Sequence, residues 1–143
     1  MQIDSYWPFH LFGATFASDA EARLYVFEQW EPEPPENASE AEYDAWEDRN
    51  PNWRLAEELE FYMDSDFVEL ADAPYNVTSQ IRSTVERALV SDKAAAFTHF
   101  IMVGPDAIWG DRRPAATRAK PVARSPESTA TITYLGRFNW ADS

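Results

Sequence analysis

The order of apolar and polar positions predicts strands near both ends of the chain and helices between them. One strand is indicated at residues 10–16 (HLFGATF), and two more are indicated at 97–103 (FTHFIMV) and 131–138 (TITYLGRF). Because the strands lie early and late with helical segments between them, we predict one α+β domain over residues 1–143. In this domain a small, mainly antiparallel sheet is covered by helices on one face.

Capping residues mark the first two helices. Ser18 and Ser39 each precede a glutamate by three residues, which is the spacing of a capping box. The first helix is predicted to run to about Trp30, where a group of prolines stops it. The second is predicted to run from Ser39 to about Arg49.

The middle and the end of the chain have less regular patterns. A third helix is predicted from Asn76 or Thr78, with an apolar stripe formed by Val77, Ile81, Val85, Ala88 and Leu89. Residues 53–63 fit either a short helix or the entry to a strand, and residues 64–74 are predicted to be an extended or looping acidic segment. Residues 105–128, rich in Pro, Ala and Arg, are predicted to form a basic loop.

Negative charge is concentrated in one third of the chain. The net charge is −13, and sixteen Asp or Glu residues lie between Glu28 and Asp72 against two arginines. Cations cluster instead between Arg112 and Arg124. A concentrated negative field repels nucleic acid and anionic membranes and attracts basic proteins, although a solvated acidic face that only confers solubility is the simpler alternative.

The sequence offers no complete catalytic or metal-binding motif. The chain has no cysteine, and its two histidines, His10 and His99, fall in predicted strands, where they could be cross-strand neighbours. The string Asp64-Ser65-Asp66 after an apolar run is similar to the start of a haloacid-dehalogenase phosphatase site, but the small hydroxyl residue expected shortly afterwards is missing. We therefore predict no enzymatic activity, no metal and no cofactor.

The N-terminal residues do not have the pattern of an export signal. They lack a positively charged start, and Asp4 and Pro8 interrupt the apolar stretch. No run approaches eighteen apolar residues. We predict a cytoplasmic protein that neither spans nor binds a membrane.

Several segments together resemble the immunity protein 22 family of bacterial polymorphic toxin systems. The resemblance covers nearly the whole chain and is carried by the order of its parts: HLFGATF at 10–16, a helix with Tyr25, Trp53, DSDFVE at 64–69, FIMV at 100–103 and YLGRF at 134–138. Two segments depart from the family pattern: an acidic, Pro-rich insertion near 31–38 and the long connection at 105–128.

The resemblance implies an antidote that binds and neutralises a cognate toxin domain, which is basic and of the nuclease class. An acidic surface suits this role because it can mimic the phosphate polyanion that a nuclease binds. The predicted toxin-binding patch consists of Glu31, Glu33, Glu36, Glu42, Asp44, Trp46, Glu47, Asp48, Asp64, Asp66 and Glu69. The alternative function is a general acidic interaction or DNA-mimic module that regulates a basic nucleic-acid-binding protein.

The tryptophans divide between two roles. Trp46 and its neighbour Tyr43 fit equally well as surface anchors for a partner and as core residues of the second helix. The tryptophans at 7, 53, 109 and 140 are predicted to serve core or edge packing.

Overall fold

The structure, a computed structural model, describes residues 8–104, 107–112 and 125–140. In this part of the chain the elements are β1 (Pro8–Ala14), α1 (Asp19–Val26), α2 (Glu40–Arg49), α3 (Arg54–Leu59), β2 (Phe61–Met63), a 3-10 turn (Ser65–Phe67), β3 (Val68–Ala71), α4 (Pro74–Thr78), α5 (Thr84–Ala94), β4 (His99–Val103), β5 (Ile108–Asp111) and β6 (Ile132–Asn139). The ambiguous segment 53–63 thus contains both a helix and a strand.

A four-stranded sheet with the order β3-β4-β1-β6 organises the fold. Every neighbouring pair in it is antiparallel, and β2 and β5 form a separate antiparallel pair. The register between β1 and β6 shifts at Leu11 and Phe12, where Gly136 adopts a φ of +134° that side chains rarely tolerate. The predicted α+β class with a mainly antiparallel sheet is confirmed.

Helices cover both faces of this sheet, which corrects the expectation of one covered face. Phe12 and Ile101 pack with α1 and α3 on one face. Phe9 and Phe100 pack with α4 and α5 on the other. The physical reason lies in β4, because all five of its residues are buried and a strand buried on both sides needs a layer on each.

The predicted third helix is two helices, and its predicted apolar stripe is largely wrong. The chain leaves α4 at Thr78, and Ser83 then caps α5 by accepting a hydrogen bond from the Glu86 backbone N–H (3.2 Å). Because the helix is interrupted, α5 does not have to continue the apolar face of α4, and its buried residues are Val90 and Ala94. The side chains of Val85 and Leu89, expected in the core, are 69% and 56% exposed.

The two histidines lie at opposite ends of the β1 and β4 pair, so the expectation that they are cross-strand neighbours is wrong. The Nδ1 atom of His10 is 2.9 Å from the Tyr134 hydroxyl. The Nε2 atom of His99 is 2.8 Å from Asp19 Oδ1, in the first turn of α1. His10 therefore connects β1 to β6, and His99 connects β4 to α1.

The predicted loop at 105–128 contains a strand, β5, that pairs with β2. Gly110 permits this pairing, because a Cβ atom at that position would lie 2.8 Å from Cδ2 of Tyr62. Residues 105–106 and 113–124, which hold the rest of the predicted basic cluster after Arg112, lie outside the described residues.

Candidate functional site

The most acidic stretch of the chain forms a closed excursion from the fold. Gln29 and Asn52 pair as an antiparallel bridge, with backbone N to O distances of 2.7 and 2.8 Å, and residues 29–52 between them form what we call the acidic excursion. The backbone N–H and C=O of Gln29 both hydrogen-bond to Asn52 in this bridge and cannot continue the helix. Helix α1 therefore ends at Val26 and does not reach Trp30 as predicted. The predicted start of α1 after Ser18 is confirmed.

Helix α2 lies within the acidic excursion and outside the core. Its predicted bounds are confirmed: Ser39 accepts a hydrogen bond from the Glu42 backbone N–H (3.2 Å), and Asn50 follows the last turn. No residue of α2 is buried. A ten-residue helix with no buried face contributes little to a core, so its position must be held by contacts within the excursion.

Three aromatic rings form a cluster on the surface of the excursion. The Trp46 ring lies 5.9 Å from the Trp30 ring and 5.9 Å from the Tyr43 ring, between ring centroids. Trp30 is 57% exposed, and Tyr43 and Trp46 are half-buried. Of the two interpretations of Tyr43 and Trp46, membership in the core is therefore wrong.

Glu31 connects the two arms of the excursion. Its backbone O accepts from Trp46 Nε1 (3.1 Å), its backbone N–H donates to Asn50 Oδ1 (2.8 Å), and its carboxylate accepts from Asn50 Nδ2 (3.0 Å) and pairs with Arg49. The bonds from Asn50 and Arg49 hold the pKa of Glu31 below its ordinary range. Glu33 also connects the two arms, because its carboxylate accepts a hydrogen bond from the Tyr43 hydroxyl. This bond raises the pKa of Tyr43.

The excursion carries a strong uncompensated negative charge. It contains eight carboxylates and one cation, Arg49, which already pairs with Glu31. Its net charge is therefore −7, and the acidic side chains at 36, 42, 44, 47 and 48 are all exposed. Side chains of one sign on a helix held away from the core project a field that reaches an approaching partner first.

The predicted binding residues fall into two separate groups. Eight of them lie in the excursion: Glu31, Glu33, Glu36, Glu42, Asp44, Trp46, Glu47 and Asp48. Asp64 instead caps the 3-10 turn by accepting from the Asp66 backbone N–H (3.0 Å), and Glu69 is exposed on the edge strand β3. Within the described residues, no hydrogen bond or ion pair joins these three acids to the excursion.

One tryptophan outside the excursion is exposed, although core or edge packing was predicted for it. Trp109 is 67% exposed and stacks on Tyr62 with a centroid distance of 5.2 Å, so it does not serve core packing. The core or edge predictions for Trp53, which is 5% exposed, and for Trp140, which stacks on Phe9 at 4.2 Å, are confirmed. Trp7 lies outside the described residues.

A carboxylate that no sequence motif identified accepts hydrogen bonds from three hydroxyl groups. Glu58, on α3, accepts hydrogen bonds from Tyr25 (2.9 Å), Thr129 (2.7 Å) and Thr131 (2.9 Å). Burial alone would raise the pKa of Glu58, but these bonds together with Arg54 outweigh burial and lower the pKa below its ordinary 4.5. This arrangement ties α1, α3 and the turn before β6 together.

We expect Glu58→Gln to reduce the free energy of unfolding by about 1–3 kcal/mol at pH 7, because an amide replaces a charged acceptor of three hydroxyls. A lowered folded-state pKa stabilises the fold fully above the unfolded-state pKa, and this stabilisation is lost as the pH falls through the folded value. The difference in the free energy of unfolding between wild type and Glu58→Gln should therefore become smaller as the pH falls below 4.5. Urea denaturation of both proteins from pH 3 to 7 measures this difference, with Glu57→Gln on the same helix as the control. A difference that stays constant with pH would contradict this role.

Two kinds of feature are absent from the described part of the chain. Within it, no group of three or more His, Asp or Glu side chains is arranged to hold a metal ion. None of its helices combines the length and the apolar character needed to cross a membrane.

Comparisons of the chain with protein-family models, with curated proteins and with solved structures find no match. The resemblance to the immunity protein 22 family therefore stays a prediction that depends on the order of the motifs in the sequence. What the geometry adds independently is a surface of known composition: an acidic excursion with three clustered aromatic rings.

Proposed function

We propose that this protein is a cytoplasmic immunity protein that binds and neutralises a cognate bacterial toxin domain, and that the toxin is a basic domain of the nuclease class. The acidic excursion is the observation that supports this proposal most directly. It carries a net charge of −7 outside the core, on a helix without a single buried residue. A surface of this kind contributes little to folding, and the exposed aromatic cluster beside its charges favours binding over solubility alone as the reason for its composition.

The charge of the excursion suits a nuclease as the target. A nuclease must present cations to the phosphates of its substrate, and a row of carboxylates can occupy the same cations. Complementary charge also accelerates association, which matters for an antidote that must act before the toxin does. The inhibitor acts stoichiometrically, without a cofactor, and contacts neither nucleic acid nor a membrane.

The aromatic cluster gives the same surface a source of affinity. Charged groups at the rim of an interface contribute mainly rate and selectivity, whereas desolvated Trp and Tyr side chains are frequent hot spots. Trp30, with 57% of its surface exposed, has the most apolar area left to bury against a partner. Trp46 packs against Trp30, Tyr43 packs against Trp46, and hydrogen bonds to Glu33 and Glu31 fix Tyr43 and Trp46 respectively.

The experiment that tests the proposal is capture followed by neutralisation. The tagged protein is used as bait in lysate of its native host, and bound proteins are identified by mass spectrometry. We expect one basic domain at a ratio near one to one. Expressed alone, this domain should arrest growth and degrade nucleic acid, and co-expression of the immunity protein should restore growth.

A bait with Trp30→Ala and Trp46→Ala is the matched control, because it leaves the charge unchanged and should recover much less of the domain. Recovery of many basic proteins in place of one, none of them toxic, would contradict the proposal. That result would favour the alternative of a general acidic or DNA-mimic module.

A further inference from the structure

A small pocket lies at the base of the acidic excursion. Glu28 immediately precedes the Gln29–Asn52 bridge, and together with Glu57, Tyr62 and Trp109 it lines a cavity of about 180 Å³. This volume is below the roughly 300–1,000 Å³ of pockets that hold small-molecule ligands. It suits one side chain of a partner better than a free metabolite.

The pocket combines carboxylates with aromatic rings. The side chains of Glu28 and Glu57 make no hydrogen bond or ion pair with another described residue, so both carboxylates are available to a cation. Tyr62 and Trp109 are stacked with an angle of 23° between their planes, and much of Trp109 is open to solvent. Acids and aromatic faces side by side are the two groups that bind an organic cation.

One ring of this pocket, that of Tyr62, already contacts a guanidinium group. The Cζ atom of Arg112 lies 5.0 Å from the Tyr62 ring centroid, and its Nε donates to the Phe61 backbone O (2.7 Å). Tyr62 thus shows that a guanidinium fits against a ring of this pocket, and the exposed Trp109 offers a second ring. The charge of Arg112 offsets only one of the two carboxylates, so the pocket keeps a net negative charge.

We propose that this pocket receives one arginine side chain of the basic partner, an inference that rests on the proposed function. Arginine fits better than lysine because its planar guanidinium can stack on Trp109 while its N–H groups reach Glu28 and Glu57. The pocket adjoins the excursion through Glu28, so the same partner can engage both. The excursion then supplies long-range attraction and the pocket supplies one specific anchor.

The inference is tested on the full chain labelled with 5-fluorotryptophan, observed by ¹⁹F NMR. The resonance of Trp109 is assigned by its loss in Trp109→Phe. The probe is N-acetyl-arginine amide, and N-acetyl-citrulline amide is the uncharged analogue of the same shape. We expect the arginine probe to shift the Trp109 resonance saturably, with a dissociation constant on the order of millimolar. Citrulline should bind at least about fivefold more weakly.

A pair of double variants identifies the carboxylates involved. Glu28→Gln with Glu57→Gln should weaken arginine binding at least about threefold, whereas Glu36→Gln with Glu40→Gln, which removes as many charges from the excursion, should leave it nearly unchanged. The ¹⁹F spectrum without probe reports whether each variant is folded. Equal shifts with arginine and citrulline, no saturable shift, or equal weakening in both double variants would overturn the arginine site.

Failure of this inference can be distinguished from failure of the proposed function. If the arginine probe does not bind but a toxin domain is captured and neutralised, the pocket is not an arginine site and the proposed function stands. If the probe binds selectively and no toxin is captured, the preference of the pocket for arginine is supported and the proposed function fails.

Discussion

Replacing Trp53 with alanine is expected to lower the free energy of unfolding by about 3–5 kcal/mol, as is usual when a large aromatic core residue is truncated. The side chain is 5% exposed and packs in the core cluster that also contains Tyr25 and Leu55. Its Nε1 donates a 2.7 Å hydrogen bond to the backbone O of Val26, the last residue of α1, and truncation leaves this buried carbonyl unpaired. For a domain stabilised by roughly 5–15 kcal/mol, this loss is a large share of the total.

Two further tryptophan variants separate burial from hydrogen bonding. Trp53→Phe keeps most of the ring volume and loses the N–H donor. In urea denaturation its free energy of unfolding should lie between those of the wild type and Trp53→Ala. Trp30→Ala, on the exposed cluster, should cost no more than about 0.5–1 kcal/mol although it also removes an indole. A Trp30 variant as destabilised as the Trp53 variant would mean that the excursion is part of the cooperative core.

Helix starts were predictable from the sequence because their signal is local. Ser18 and Ser39 cap α1 and α2 as their spacing predicts. Ser83 has the same spacing to Glu86 and also caps a helix, but the predicted helix start at Asn76 or Thr78 did not take this signal into account. The break before Ser83 separates α5 from the buried Val77 and Ile81, and Val85 and Leu89 lie on the exposed face of α5.

Features that depend on distant partners were not predictable in the same way. The short run of β5 becomes a strand only because β2, far away in sequence, pairs with it over Gly110. The sequence located most of the candidate site, since its acids are contiguous. It gave no means of knowing that the rings of Trp30 and Trp46 meet, or that Asp64 caps a separate turn.

Reversing three acids of α2, with Glu42→Lys, Asp44→Lys and Glu47→Lys, should slow association with the captured toxin domain about 10- to 100-fold at low ionic strength. The reason is long-range attraction, because at about 0.01 M salt the Debye length is about 30 Å and an approaching basic domain senses the excursion before contact. At about 1 M salt this length falls to about 3 Å, so the rate constants of variant and wild type should approach each other. Stopped-flow measurements across this salt range test the prediction, with circular dichroism to verify that α2 persists.

The control must change the net charge by the same amount somewhere else. Replacing Asp72, Glu86 and Asp92 with lysine changes the net charge by the same amount. Glu86 is a matched position, because it follows the cap Ser83 in α5 as Glu42 follows the cap Ser39 in α2. If the excursion steers the partner, this control should slow association much less at low salt. An equal effect of both variants would mean that the overall charge of the protein is responsible. A decrease in the association rate constant that is the same at all salt concentrations would mean that the α2 acids act through direct contacts and not through their field.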